Sequence, residues 1–377
     1  METELRRTVL KKEDALGKEA HGMKKQTMLY LSQDDVFRTG RLSPSNSNKI
    51  IEESFTLVGK DDFLMGGASC SEHGLMIHFP ESSSIPNMPV NAPDYRYMAM
   101  VGYVGGDFHI CGSKVYGSNP ENLRRQIPRS NHIIILNDVE TGMPVAVMNG
   151  TEISNMRTGS VAAVAAKYLA PKQAEVCGLV GAGVINRRTL RCMLEVLPGL
   201  KRVYVYDRVL ENSRAFARDM EELPLEIVVA LSEEEMMPQC DVIHYATTAI
   251  PPLPMVKPEL LKPETLVEIS SLAEYPETLL KSSNLVVDLL RMHEIWYQTD
   301  PGQNLATYPM LKKMYSGELD RREIKELGRI LCGKQEAARD GRTTVFMANG
   351  LPVWDVALAC SVYEAAKENG IGTLLPL

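Results

Sequence analysis

The sequence lacks most features of secreted, membrane-bound or nucleic-acid-binding proteins. Its seven cysteines are scattered, odd in number and never spaced as C-x-x-C, which argues against a disulfide framework. Aromatic residues make up only 6% of the 377 residues, and no basic stripe interleaves them with cations. Because the net charge is −7, nucleic acid is not expected as a partner.

Long apolar runs are also missing. The most apolar stretch, near 161–170, is interrupted by Lys167 and is too short to cross a bilayer, so no membrane association is expected. The first residues are polar and show no signal-peptide core, so residues 1–27 are predicted to form a polar tail and the protein to be cytoplasmic. No His, Cys or carboxylate cluster has metal-ligand spacing, and we expect no metal.

What the chain does contain is a strand, a glycine turn, a helix and a second strand in direct succession. These are an apolar run at 176–180, the turn Gly181-Ala182-Gly183, a helix from Val184 and a strand at 202–206. Gly181 supplies the sharp turn, and Gly183 lets the main chain approach a pyrophosphate at the positive end of the helix. The stretch predicts a dinucleotide-binding βαβ unit.

Three residues of this unit bear on which dinucleotide is bound. Asp207 ends the second strand, where a carboxylate accepts hydrogen bonds from the ribose hydroxyls and repels a 2′-phosphate. NAD is therefore favoured over NADP, although Arg208 beside it weakens that preference. Asn186 replaces the third glycine of G-x-G-x-x-G, which predicts either a wider helix-to-strand fit or a polar contact.

The order of predicted elements indicates an α/β protein with two domains. Helices and strands alternate after Asp207, as in a parallel Rossmann-type sheet covered on both faces. Strands at 96–104 and 108–115 and a hairpin at 133–148 precede the nucleotide unit and predict a separate α+β domain. We predict a discontinuous substrate and dimerisation domain at 28–150 plus 343–377, with a strand at 344–347 and a helix at 353–369, and a Rossmann domain at 151–342 with a helix around 321–332.

Four segments carry a resemblance to a known family. They are GSKVYGSNPEN (112–122), IIILNDVETGMPVAVMNGTEISNMRTGSVAAVAAKYLAP (133–171), GLVGAGVI (178–185) and NGLPVWDVALACSVYEAAKENGIGT (349–373). They resemble the ornithine cyclodeaminase and mu-crystallin family, and look most like its N-(2-amino-2-carboxyethyl)-L-glutamate dehydrogenases of siderophore biosynthesis. The resemblance implies a homodimer that acts on amino acids or their imines with a nicotinamide cofactor.

The resemblance also implies roles for single residues. Lys114 matches an active-site lysine that contacts the substrate carboxylate, Arg157 a carboxylate-binding arginine, and Asp355 an acid in the C-terminal segment. Arg96 is the candidate for a further substrate-binding arginine. The residues assigned to cofactor binding are Gly181, Ala182, Gly183, Val184, Ile185, Asp207, Arg208, Thr158, Thr247 and Ser270.

One departure from the family separates the possible reactions. Ornithine cyclodeaminases carry an aspartate where this sequence has Ala249, which argues against cyclodeamination. The leading hypothesis is an NAD-dependent dehydrogenase of an N-substituted amino acid. The alternatives are a ketimine reductase or simple amino-acid dehydrogenase, a cyclodeaminase-type lyase, and a mu-crystallin-like protein that only binds a ligand.

The chemistry of the side chains fits this hypothesis. Arg157 offers a planar fork for a carboxylate, and Lys114, if buried beside it, can lose its proton and act as acid or base. A substrate with a glutamate-derived portion needs a further cation, and we expect only one nearby arginine to reach it. The candidates for that cation are Arg96, Arg124, Arg125 and Arg129. The candidate proton carriers, each more often structural in such positions, are His73, His109, His132 and His244.

Overall fold

The computed structural model describes residues 26–248, 250–299 and 305–377. The predicted tail at 1–27 and position 249 thus lie outside the described residues, apart from Gln26 and Thr27. Numbered along the chain, the strands are β1 (Thr27–Leu31), β2 (Phe63–Met65), β3 (Leu75–Ile77), β4 (Arg96–Val104), β5 (Ile110–Ser118), β6 (Ser130–Asp138), β7 (Pro144–Asn149), β8 (Val176–Val180), β9 (Arg202–Tyr206), β10 (Glu226–Val229), β11 (Val242–Tyr245), β12 (Leu266–Ile269), β13 (Asn284–Val287), β14 (Ile324–Glu326), β15 (Thr344–Met347) and β16 (Thr373–Pro376).

The α-helices lie between and around these strands. They are α1 (Gln33–Arg38), α2 (Pro44–Gly59), α3 (Thr151–Leu169), α4 (Val184–Leu194), α5 (Leu210–Asp219), α6 (Glu233–Met236), α7 (Glu277–Ser282), α8 (Leu290–Thr299), α9 (Tyr308–Ser316), α10 (Leu327–Leu331) and α11 (Pro352–Asn369). Local chemistry starts several of them: Ser32 caps α1 in a reciprocal capping box with Asp35, and Ser43 caps α2 ahead of a proline in its first turn.

The strands form two sheets. The first has the order β16-β1-β7-β6-β5-β4-β2, with β3 also paired to β4, and is antiparallel except for β1 and β7. The second has the order β10-β9-β8-β11-β12-β15-β13-β14 and is parallel throughout. The predicted α/β class with a Rossmann-type parallel sheet is therefore confirmed.

The first sheet buries one face against α11, which packs on β4, β5 and β6. Side chains alternate along these strands, so Met98, Met100 and Lys114 point to the buried face while Tyr97 and Val101 point outward. In the parallel sheet the central strands β11, β12 and β15 are buried at every residue, as expected for strands with helices on both faces.

Two expectations about the C-terminal third were wrong. Strand β15, placed in the substrate domain by the sequence, pairs with β12 and β13 inside the parallel sheet, because its four residues are all buried as a central strand requires. The helix expected around 321–332 is instead a 3-10 turn, edge strand β14 and the short helix α10. Helix α11 does return to the first sheet, and β16, absent from the prediction, pairs with β1.

Candidate active site

Lys114, Arg157 and Asp355 meet in the interior between the first sheet and helices α3 and α11. Lys114 Nζ donates to Asp355 Oδ2 at 2.8 Å, and Arg157 Nε donates to Asp355 Oδ1 at 3.2 Å. Lys114 Nζ also lies 3.4 Å from the hydroxyl of Ser154, one turn before Arg157 on α3. All three charged residues are buried, with Asp355 fully enclosed. The structure thus brings together the three residues that the sequence placed in three distant segments.

The charges in this trio shift one another's ionisation. Burial opposes ionisation of Asp355, but the positive charges of Arg157 and Lys114 outweigh it and hold the pKa of Asp355 at about 2. Burial also lowers the pKa of Lys114 to about 8, with Asp355 opposing and Arg157 adding to the shift. Asp355 is therefore a fixed anion at neutral pH, whereas Lys114 can exchange a proton near physiological pH.

The terminal nitrogens of Arg157 have no hydrogen-bond partner among the described residues. Within the described residues, its only side-chain hydrogen bond is made through Nε. A Cβ added to Gly350 would stand 2.7 Å from Arg157 Nη1, and Gly350 has φ +91°, so the loop after β15 passes directly beside the guanidinium. The free Nη1 and Nη2 form a planar fork that suits a carboxylate.

A buried hydrogen-bond chain fixes that loop. Asp288 Oδ2 accepts the backbone N–H groups of Asn349 and Gly350, each at 3.0 Å. Its other oxygen lies 2.5 Å from His293 Nε2, and His293 Nδ1 lies 3.0 Å from the Thr307 hydroxyl. Asp288 therefore determines how closely Gly350 approaches Arg157.

Two histidines border the trio. Burial, together with the charges of Lys114 and Arg157, lowers the pKa of both His73 and His132 to about 3. His73 stacks on Trp296 with ring centroids 4.3 Å apart, and its buried Nδ1 has no hydrogen-bond partner among the described residues. Both imidazoles are neutral at physiological pH. His109, another candidate proton carrier, lies at the exposed turn before β5 against Tyr103.

Arg96 lies on the same face of the sheet as Lys114, with Tyr116 between them. Arg96 Nε lies 3.3 Å from the Tyr116 hydroxyl, and Lys114 Nζ stands 5.4 Å from the centroid of the Tyr116 ring. The buried carboxylate of Asp94 pairs with both Arg96 and Arg129. Arg129 therefore shares a carboxylate with Arg96, while Arg124 is exposed and pairs with Glu121.

The glycine turn after β8 has the geometry of a phosphate-binding loop. Gly181 has φ +95°, and a Cβ there would stand 2.5 Å from Ala246 O. Gly183 precedes α4, and apart from its two chain neighbours no described residue comes within 4 Å of the position its Cβ would occupy. Val184 and Ile185 form the first turn of that helix, with Val184 exposed. The open space at a helix N-terminus fits a pyrophosphate.

Asp207 is hydrogen-bonded to the same turn. Its Oδ2 accepts the N–H of Ala182 at 3.0 Å, and its Oδ1 accepts the N–H of Val209 at 2.9 Å. Arg208 extends along the exposed rim, where it donates to Ile250 O. The acid is therefore oriented at the end of β9, as a ribose contact requires.

Asn186, which replaces the third glycine, makes the polar contact that was one of its two expected outcomes. Its Nδ2 donates to Val180 O at 3.0 Å and to Gly181 O at 2.5 Å. Its Oδ1 lies 2.6 Å from His244 Nδ1, and His244 Nε2 lies 3.0 Å from the Ser270 hydroxyl. Sequence reasoning named His244 only as a proton carrier and missed this chain, which only the pairing of β8, β11 and β12 creates.

The remaining assigned residues lie at different depths of the cleft. Thr247 follows β11, and its buried Oγ1 has no partner among the described residues. Thr158 is less well placed, since its hydroxyl donates to Ser154 O within α3. Asp94 and Ser154 were not foreseen, because nothing in their local sequence distinguishes them from surface residues.

The strand order connects the two halves of the site. Because β8, β11, β12 and β15 are parallel neighbours, the residues that follow them share one edge of the sheet. Along that edge stand Gly181, Thr247, Ser270 and Gly350, in that order, from the glycine turn to Arg157. Within the described ranges, no three His, Cys, Asp or Glu side chains are grouped so that they could hold a metal ion, and none of the described helices is long and apolar enough to cross a membrane.

The chain is similar to known proteins over nearly its whole length. The family model of the ornithine cyclodeaminase/mu-crystallin family matches residues 47–370. The N-((2S)-2-amino-2-carboxyethyl)-L-glutamate dehydrogenase of Staphylococcus aureus is 28% identical over 93% of this chain and 98% of that protein. An alanine dehydrogenase of Archaeoglobus fulgidus is 27% identical over 92% and 97% of the two chains.

A solved structure shares the fold. The Thermococcus litoralis Delta(1)-pyrroline-2-carboxylate reductase in complex with NADH and L-proline has a TM-score of 0.76 and 27% identity, covering 92% of this chain and 99% of the other.

Proposed function

The chain belongs to the ornithine cyclodeaminase/mu-crystallin family, and we propose that it is an NAD-dependent dehydrogenase of an N-substituted amino acid. The reaction removes a hydride from the carbon that bears a secondary amine and a proton from the nitrogen. The imine so formed takes up water and separates into a 2-oxo acid and a primary amine. Run in reverse, the same steps form an opine-like product.

The residues after the parallel strands fit the cofactor. The turn of Gly181 and Gly183 receives the pyrophosphate, and Asp207 receives the ribose. NAD, when bound, supplies the hydride acceptor. The relatives named above are oxidoreductases of amino-acid C–N bonds, which supports the same chemistry here.

One observation carries the proposal: Asp355 engages Lys114 and the Nε of Arg157 yet leaves the terminal fork of Arg157 free beside Gly350. The fork holds the substrate α-carboxylate and so orients the carbon to be oxidised. Lys114, with its pKa near 8, accepts the proton that leaves the nitrogen. The trio carries a net charge of +1 while Lys114 is protonated and becomes neutral when Lys114 loses that proton to act as the base.

The pair Arg96 and Arg129 supports a substrate with a second carboxylate. Asp94 neutralises one of these two cations, so one positive charge remains on the same sheet face as Lys114. An N-substituted glutamate carries such a distal carboxylate, whereas alanine and proline do not. The pair therefore favours the opine-type substrate over a simple amino acid.

The test is a substrate panel followed at the absorbance of reduced nicotinamide. We expect turnover of N-(2-amino-2-carboxyethyl)-L-glutamate or a related opine at a kcat/KM at least tenfold above that of alanine or proline. Arg129→Ala should raise KM for the opine, and the matched surface variant Arg124→Ala should not. Absence of turnover with every opine contradicts the proposal.

The same panel separates the alternatives. Preferential reduction of a cyclic imine, or of pyruvate with ammonia, would identify a ketimine reductase or an amino-acid dehydrogenase, the activities of two relatives. Release of ammonia from ornithine without net change in NAD would identify a cyclodeaminase; Ala249, which argues against it, lies outside the described residues. Binding of cofactor and ligand without any turnover would identify a binding protein.

We further propose that the outer face of the first sheet pairs with a second copy of the chain. Outward positions of β4, β5 and β6 carry no charged side chain, and the exposed apolar residues on this face include Leu64, Leu75, Ile77, Tyr97, Val101 and Ile133. A face of this kind suits an isologous dimer. Light scattering should give twice the chain mass, and Val101→Glu should give the monomer; a monomeric parent protein would contradict the dimer.

A further inference from the structure

We propose that Asn186 and His244 are positioning residues that make the Ser270 hydroxyl donate its hydrogen bond to His244 Nε2. The Ser270 oxygen then presents only acceptor lone pairs to the carboxamide N–H of the nicotinamide. The inference rests on the proposed binding of NAD. It assigns a role to the asparagine that departs from the dinucleotide motif and to a histidine that the proposed chemistry does not use.

Asn186 sets which atoms donate and which accept in these hydrogen bonds. An amide group has two donor hydrogens on nitrogen and one acceptor oxygen. Both hydrogens of Asn186 are used, since Nδ2 contacts the carbonyl oxygens of Val180 and Gly181. The oxygen that faces His244 at 2.6 Å can therefore only accept a hydrogen bond.

His244 transmits this direction to Ser270. The imidazole is fully enclosed, and burial lowers the pKa of His244 to about 3, so the ring is neutral and carries one proton. Because Asn186 Oδ1 accepts from Nδ1, the proton is on Nδ1 and Nε2 is an acceptor. The Ser270 hydroxyl, 3.0 Å from Nε2, must donate to it. Its lone pairs remain for a partner outside the chain.

Ser270 stands where the nicotinamide is expected. It follows β12, two strands from the glycine turn after β8 and one strand from the loop that carries Gly350 beside Arg157. Neighbouring strands lie about 4.8 Å apart, so Ser270 is roughly 10 Å along the edge from the pyrophosphate turn. Ser270 is only partly buried, and no other hydrogen bond of its side chain occurs among the described residues.

Direct binding measurements on the full-length protein test the proposal, with Kd determined by calorimetry for three nucleotides. NAD and its thionicotinamide analogue both keep the amino group of the carboxamide, whereas the 3-acetylpyridine analogue lacks it. The parent protein should bind the acetylpyridine analogue about fivefold more weakly than NAD, the size of one neutral hydrogen bond, and should bind the thionicotinamide analogue close to NAD.

Three variants give the decisive comparison. Ser270→Ala should abolish the preference for NAD over the 3-acetylpyridine analogue. Asn186→Ala, which introduces a residue that the motif tolerates, should reduce that preference because the tautomer of His244 is no longer fixed. The neighbouring Ser271→Ala, whose hydroxyl accepts from the Thr247 N–H, should retain it. An unchanged preference in both test variants, or none in the parent protein, overturns the inference. Failure of the parent protein to bind NAD at all instead overturns the proposed function.

Discussion

Lys114 and Asp355, 241 residues apart in the chain, form a buried ion pair with 2.8 Å between Nζ and Oδ2. The lysine comes from the first sheet and the aspartate from the returning helix α11. The pair therefore joins the two parts of the chain that enclose the substrate region, and it sets the ionisation of the group we assign as base.

Replacing Asp355 with asparagine should destabilise the protein. The change leaves Lys114 and Arg157 buried side by side without a counter-charge, and breaking a buried pair costs about 3 kcal/mol. Urea unfolding should show the loss, and the double variant Asp355→Asn with Lys114→Met should recover part of it because one unpaired cation is gone. A single variant as stable as the parent protein would show that the pair contributes nothing to folding.

The rate of substrate oxidation should rise with pH and level off above about 8, the pKa of Lys114. Burial lowers that pKa, and the base must be unprotonated to accept the proton. No inflection is expected between about pH 5 and 7, the usual range of histidine, because His73 and His132 have pKa values near 3. An inflection near 8 that persists in Lys114→Arg belongs to the substrate amine and would remove Lys114 from this role.

Gly350→Ala should impair substrate binding more than folding. The new Cβ would meet Arg157 Nη1 at 2.7 Å and displace the carboxylate fork, so we expect kcat/KM to fall at least tenfold. Gly317→Ala is the matched control, since Gly317 has φ +80° with nothing within 4 Å. Both variants should lose about 1 kcal/mol of stability from left-handed strain. Equal kinetics in the two would separate Gly350 from the substrate site.

Asp207→Ser should raise the affinity for NADP relative to NAD. Serine removes the charge that repels a 2′-phosphate and exposes the phosphate to Arg208 on the same rim. Calorimetric Kd values for both nucleotides measure the change, and adding Arg208→Ala should reverse the gain. If the variant still discriminated against NADP as strongly as the parent protein, the selectivity would come from elsewhere.

Much of the fold follows from short stretches of sequence. The strand at 96–104, the glycine turn at 181–183 and the strand at 202–206 each depend on neighbouring residues, and the structure places all three as predicted. Strand β15 could not be assigned to its sheet in this way. Four buried residues show that a strand exists, but its partners β12 and β13 are fixed by packing across the whole domain.

The site shows the same limit. The family resemblance identified Lys114 and Arg157 as site residues. Their shared contact with Asp355 depends on helix α11, which returns to the first sheet from the far end of the chain. The role of His244 depends on Asn186, 58 residues earlier and on a different element. The departure from the glycine motif predicted either a wider helix-to-strand fit or a polar contact at Asn186, and no local signal identified the partner of that contact.

Transfer of deuterium from substrate to nucleotide measures whether the enzyme moves a hydride from the amino-acid carbon to NAD. The substrate is N-(2-amino-2-carboxyethyl)-L-glutamate deuterated at the glutamate carbon that bears the secondary amine, incubated with the enzyme and NAD and followed by mass spectrometry and NMR of the recovered nucleotide. If the hydride moves from this carbon to NAD, one deuterium will appear at C4 of the reduced nicotinamide for each 2-oxo acid released. Release of the 2-oxo acid with deuterium only in water, or no reduced nucleotide at all, would contradict this transfer.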